Sequence, residues 1–409
     1  MKSSLSGQNA AQTTKNAGKI AEKPEKRIGL FGGSFDPVHK DHVKICDLFL
    51  KACALDYIII MPAFLSPFKT ESGADAGERL KMLEIAFSSL IKQKKAIISN
   101  EEILREGKSY TFETVENIKS KLKNNGENAE LYLLIGEDSA LTFDKWKNPD
   151  VILSHAKITI AGRAGGNLSK TGEYFEKQNA AYLKEKPTYI PFDGNCASSL
   201  IREYLKLGLS AEKFLPCGVS EYIKSRNLYC ANDLYHEFMR KNSTEKRLEH
   251  TAGVVYLARR YAKRLGVSEQ KAAVAALLHD CAKYLNAEGY FNSGFTLEKE
   301  VPPPVIHQFL GAFVAKTVLN VTDEEILSAI RWHTTGRENM TKLEKIIFVA
   351  DLIEPSRDYG EVNELRAAVE ENFEQGFLLC VKRIYRYLKK DNEPLYMTDK
   401  TYAYYIKNA

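Results

Sequence analysis

At 409 residues, with 44% hydrophobic and 10% aromatic side chains, the chain is globular in composition and exceeds the usual size of one core, so two domains with separate cores are expected. The formal net charge is +5, but residues 1–27 carry six basic and two acidic side chains, so the remainder is nearly neutral and no nucleic-acid partner is expected. No apolar run approaches the roughly 20 residues that span a bilayer, the start lacks an apolar secretion segment, and the seven cysteines form no CxxC pair; these features exclude a membrane span and point to a reducing, cytoplasmic setting.

Residues 1–26, rich in Ser, Lys, Ala, Asn and Gln without periodicity, predict a disordered basic tail. A short apolar strand follows at 27–31 and ends in Gly32 and Gly33; helical spacing then covers 39–53, and a second strand 57–61. Strand, glycine turn, helix, strand is a βαβ unit, and the apolar runs 131–135 and 157–161 extend it to a mostly parallel sheet. The first domain is therefore read as α/β over 27–231, closed by a helical stretch at 221–232. From about Leu234 the strand signals stop, and helical patterns at 249–265, 268–285, 305–319 and 323–333 predict an all-α domain over 232–409.

The string GGSFDPVHKDH runs from Gly32 to His42. Glycines at a strand end let backbone amides approach a phosphate, and the following helix aims its positive end at the same place. His39 and His42, three apart, fall on one side of the first helical turn. The string resembles the GGSFDPxHxGH motif of the nicotinate-mononucleotide adenylyltransferases, HxGH-type nucleotidyltransferases with a Rossmann-like fold. CASSLIR at Cys196 to Arg202 matches their second motif, ISSTxIR, and MPAFLSPFK, ERLKML, EILREGKSYTFET, IGED and FDKW support the likeness across about 27–229. The resemblance implies adenylyl transfer from ATP, with its Mg²⁺, to nicotinic acid mononucleotide. It implies ATP binding by Gly32, Gly33, Ser34, Phe35, His39, His42, Ser198, Ser199 and Arg202, with His42, His39 and Arg202 catalytic. It assigns Lys69, Tyr110, Thr111, Gly136, Asp138 and Trp146 to the acceptor. Two positions depart from the motifs: Asp41 replaces the glycine of HxGH, where a solvent-facing carboxylate is expected, and Ala197 replaces the first serine of ISSTxIR. Nicotinamide mononucleotide is the alternative acceptor; the SYT and FxxW segments argue against phosphopantetheine.

Farther along, His250, His279, Asp280, His307, His333 and Asp351 recur on predicted apolar helices, a set large enough for two metal ions and better suited to iron or manganese than to a thiolate-seeking ion. HTAGV, LLHDCAK, IHQFLGAFVA, AIRWHTTG and FVADLIEPSR resemble the HD hydrolases of the YqeK type, over about 245–357. That resemblance implies symmetrical hydrolysis of diadenosine tetraphosphate to two ADP, Asp280 bridging two divalent ions, and Lys283 and Arg357 meeting substrate phosphates. An HD domain acting on another nucleotide, or serving as a nucleotide-sensing regulatory module, is the alternative for this half. A homo-oligomer is compatible with either.

Overall fold

The computed structural model describes residues 26–65, 73–163, 166–297, 301–389 and 396–407; the predicted tail up to residue 25 and Lys69 lie outside these. Six strands form one parallel sheet: β1 (Lys26–Gly33), β2 (Tyr57–Pro62), β3 (Ala96–Ile98), β4 (Ala129–Gly136), β5 (Ala156–Ala161) and β6 (Thr188–Ile190), in the order β3-β2-β1-β4-β5-β6. β1 and β4 are neighbours although far apart in sequence, with Leu30 beside Leu133 and Phe31 beside Leu134. The strand order reverses there, so a crevice opens beyond their carboxyl ends.

Alternation along the strands feeds two layers. Ile28, Leu30, Leu131 and Leu133 face one apolar cluster with Val115 and Ile152, while Tyr132 and Leu134 face another with Phe49 and Ile45. The two edge strands that the sequence did not disclose, β3 and β6, are three residues each, too short to display a period.

The second part is helical. Its first long helix, Glu245–Leu265, is capped by the Thr244 hydroxyl and ends at Gly266 in the left-handed region (φ 68°). It packs against Glu269–Leu278 and Lys342–Ile353, with Ile306–Thr317 and Glu324–Arg331 completing the bundle around the metal-ligand candidates. Two helices are shorter than the periodicity suggested. Glu269–Leu278 stops before His279 and Asp280, and Glu324–Arg331 stops before His333, so these three ligand candidates sit on turns just past helix ends.

The expected separation of cores does not hold. Leu200, Tyr204 and Leu207 of the helix Ser198–Lys206, together with Leu209, join the same buried cluster as Leu248, Ala252 and Val255 of Glu245–Leu265. Glu203 lies 3.6 Å from Arg259, and Lys213 bonds Glu249 at 2.6 Å. The Ser198–Lys206 helix is apolar on two sides: Ile201 packs in the cluster of Tyr132 and Leu134, while Leu200, Tyr204 and Leu207 pack against the helical part. Among the described residues no helix is long and apolar enough to cross a membrane.

Two candidate active sites

The first site occupies the crevice beyond β1 and β4. The Ser34 to Pro37 turn is clamped from several sides. The Asp36 carboxylate, 2% exposed, accepts from the backbone N–H groups of Gly73 and Ala74 and from the Tyr229 hydroxyl, and Arg202 donates to its carbonyl at 2.6 Å. Ser198 donates to the Pro37 carbonyl, and the buried Arg79 guanidinium donates to the carbonyls of Ser34 and Ala63. Asp36 thus fixes the turn. Arg79 is a positioning residue that the sequence did not single out, because its burial became visible only in the fold.

His39 ends the turn and His42 sits in the first turn of Lys40–Ala52, with their rings stacked 3.6 Å apart. The His39 backbone N–H donates to His42 Nδ1 at 3.1 Å, which places the His42 proton on Nε2. Burial pulls His39 down to about 4, so it is neutral near pH 7. His39, His42, Asp138, Ser198, Ser199 and Arg202 line one pocket; Gly32, Gly33, Ser34, Tyr110, Thr111 and Trp146 line a second, and both share Phe31 and Gly136.

Three expectations change. Phe35 is 2% exposed and meets the His42 ring edge-on, so it supports that ring from beneath. Asp138 lines the histidine pocket, paired with Arg163 at 2.5 Å, instead of the pocket of Tyr110 and Trp146. Asp41 does not face solvent: its Oδ2 accepts from the Cys196 backbone N–H at 2.8 Å, inside the histidine pocket.

The second site gathers all six predicted ligands into two adjoining triads, His250 with His279 and Asp351, and Asp280 with His307 and His333. Asp280 faces both: its Oδ1 is 3.2 Å from His307 and 3.5 Å from His333, and its Oδ2 is 3.4 Å from His279. The Nε2 atoms of His250 and His279 are 3.2 Å apart, as are those of His307 and His333. Their other nitrogens are committed elsewhere. His279 and His333 each meet the backbone carbonyl three residues back, Ala276 and Ile330, and His250 Nδ1 meets Glu354. Each of these three rings therefore carries its proton on Nδ1 and turns an Nε2 lone pair into the cluster, whereas the His307 ring faces the Lys283 ammonium, a donor.

Facing lone pairs and a buried carboxylate oxygen, Asp280 Oδ1, with no hydrogen-bond partner fit cations between them. Burial pulls His307 to about 4 and lowers His279, keeping both neutral. Burial also opposes the charge on His250, but its bonds to Asp351 and Glu354 outweigh that and raise it. Although burial pushes Asp280 and Asp351 up, the neighbouring imidazoles hold both well below the usual carboxylate range.

Lys283 reaches His307 at 3.2 Å, and Arg357 pairs with Asp351 at 2.7 Å. Arg247, absent from the predicted set, donates to Asp280 Oδ2 at 2.5 Å. Glu354 was also missed as a contributor. It is 0% exposed, and the space it fills exists because Gly253 has no side chain: a Cβ there would stand 2.4 Å from its Oε2.

Comparison with known families agrees with this division. The Cytidylyltransferase-like family matches residues 30–204 and the HD domain family residues 247–356. HD domains bind divalent metals. A Mycoplasma genitalium protein named "Probable nicotinate-nucleotide adenylyltransferase/Ap4A hydrolase" is 27% identical over 374 residues, 89% of this chain and 99% of its own length. A Bacillus subtilis "Bis(5'-nucleosyl)-tetraphosphatase, symmetrical" is 35% identical over 42% of this chain and 95% of itself. A Neisseria meningitidis "Probable nicotinate-nucleotide adenylyltransferase" is 30% identical over 50% of this chain and 98% of itself.

Proposed function

The chain belongs to the nicotinate-nucleotide adenylyltransferases in its first half and to the HD-type symmetrical bis(5'-nucleosyl)-tetraphosphatases in its second, and from that premise we propose one enzyme with two reactions, divided near residue 231. The first transfers the adenylyl group of ATP to nicotinic acid mononucleotide, giving the deamido dinucleotide and pyrophosphate. The second hydrolyses diadenosine tetraphosphate to two ADP. The seven free cysteines fit a reducing cytoplasm.

For the first reaction the observation that carries most is the pair of pockets meeting at Phe31 and Gly136. ATP phosphates belong beside His39, His42, Ser198, Ser199 and Arg202, with Mg²⁺ accompanying them. The mononucleotide belongs beside Tyr110, Thr111 and Trp146, so its phosphate enters in line with the α-phosphorus. The attacking phosphate needs no base, and catalysis is positioning and charge stabilisation. His42, with its proton on Nε2, donates to the α-phosphate as charge develops; Arg202 supplies permanent positive charge. Backbone N–H groups near Thr111, at the start of the helix Thr111–Asn124, favour a carboxylate over an amide on the pyridine ring.

For the second reaction the carrying observation is Asp280 facing both triads. His250, His279 and Asp351 would hold one divalent ion, His307 and His333 the other, and Asp280 would bridge them. The nitrogen-rich donor set without thiolate suits iron or manganese. Such ions would supply Lewis acidity and activation of water. Arg247 and Arg357 hold the carboxylates and Lys283 reaches His307, and all three are placed to exchange these partners for substrate phosphates.

Kinetics with each mononucleotide, together with metal analysis and product chromatography on diadenosine tetraphosphate, tests the reading. A clear preference for the nicotinate form, two ions per active chain and ADP alone are expected. Equal efficiency on both acceptors, one ion, or AMP with ATP would contradict the corresponding part.

A further inference from the structure

Residues of the two nucleotidyltransferase motifs meet in space. Asp41 stands where the HxGH motif has glycine, and Cys196 stands where ISSTxIR begins with isoleucine. His39, Asp41 and Cys196 offer an imidazole nitrogen, a carboxylate oxygen and a thiol sulfur that all lie within 4.8 Å of one another. Three further observations mark the cluster as built. His39 is 6% exposed and its Nδ1 has no hydrogen-bond partner. The Asp41 carboxylate is fixed by the Cys196 backbone N–H. The loop before Cys196 accommodates that carboxylate by having Gly194, whose Cβ would otherwise stand 2.5 Å from Asp41 Oδ2.

A carboxylate is a poor neighbour for phosphates. Asp41 shares its pocket with Ser198, Ser199 and Arg202, the groups assigned to the triphosphate, and like charge there weakens anion binding unless a cation intervenes. An N, O, S donor set with a thiolate selects a borderline-soft divalent ion over Mg²⁺, and three protein ligands leave a fourth position open.

We propose that His39, Asp41 and Cys196 form a third metal site, for a zinc-class divalent cation, whose open position faces the phosphate side of the first active site. On binding, the Cys196 thiol gives its proton to solvent and the thiolate becomes the ligand. The ion neutralises Asp41 and turns a carboxylate beside the triphosphate groups into a phosphate-binding element. That role rests on the adenylyltransferase reading; the metal site itself does not.

Cobalt(II) titration of the reduced full-length protein tests it, because a thiolate ligand gives a sulfur-to-cobalt charge-transfer band that the HD cluster, with no cysteine among its six ligands, does not produce. One equivalent of such a band is expected in the unmodified protein. It should disappear in Cys196→Ser, and cobalt affinity at this centre should fall at least about tenfold in Asp41→Gly, with thermal melting showing both variants folded. A band of full intensity in Cys196→Ser, unchanged affinity in Asp41→Gly, or no thiolate band at saturating cobalt would overturn the proposal. The readout is spectral, so it stands or falls apart from adenylyl transfer.

Discussion

The two active sites are built from opposite materials. In the first, strand ends, a glycine turn and a helix terminus set the frame, and its key side chains are tied to backbone: Arg202 to the Asp36 carbonyl, Ser198 to Pro37, His42 to the His39 amide. Those ties form without any ligand. In the second, four imidazoles and two carboxylates from separate helices and turns point at one another, and Asp280 Oδ1 is left without a partner. That arrangement fits cations between the groups. The first site is a property of the chain trace, the second a property of side chains that the bundle forces together.

The largest expected effect exploits this difference. Asp280→Ala removes the group both triads share, so hydrolysis should fall about a thousandfold, the loss of several kcal/mol of charge stabilisation. Adenylyl transfer measured on the same preparation should stay within about twofold. His42→Ala should do the reverse, lowering dinucleotide formation roughly a hundredfold by deleting one donor to the developing charge, with hydrolysis retained.

A third variant tests how far the two regions are independent as structures. Leu200 is 4% exposed in the cluster that also contains Leu248 and Ala252, so Leu200→Ala should cost about 3 kcal/mol and lower the melting of both parts in calorimetry. A loss confined to the first domain would mean that the shared cluster does not couple them. The smallest effect is expected at Glu354, which touches no predicted metal position but holds His250 Nδ1. Glu354→Gln should weaken metal affinity roughly tenfold by calorimetric titration while secondary structure is retained, and unchanged affinity would make Glu354 a packing residue only.

How much of this was legible in the sequence follows from the same contrast. The long strands announced themselves by continuous apolar runs, and the six metal-ligand candidates by residue type on apolar segments, and the fold brings all six together. Orientation was not legible. Asp41 looked free to face solvent because nothing local shows that Cys196, 155 positions away, presents an amide to it. Asp138 and Phe35 lie within recognisable motifs, yet which wall of the crevice they join depends on strand order. The apolar residues of Ser198–Lys206 were readable; that Leu200, Tyr204 and Leu207 pack against the helix carrying His250 was not, since two domains of ordinary size suggested two closed cores. Arg79, Arg247 and Glu354 escaped notice because a charged residue is ordinarily solvated, and only their burial against backbone or ligand groups gives them a role.

The central claim is that one chain runs two separate nucleotide chemistries at two separate sites. It is tested most directly by product chromatography of one mixture containing ATP, nicotinic acid mononucleotide and diadenosine tetraphosphate, incubated with the unmodified protein, His42→Ala or Asp280→Ala. The unmodified protein should yield deamido dinucleotide, pyrophosphate and ADP; His42→Ala should lose only the dinucleotide and pyrophosphate, and Asp280→Ala only the ADP released from diadenosine tetraphosphate. Either folded variant losing both product sets, or neither losing any, would contradict it.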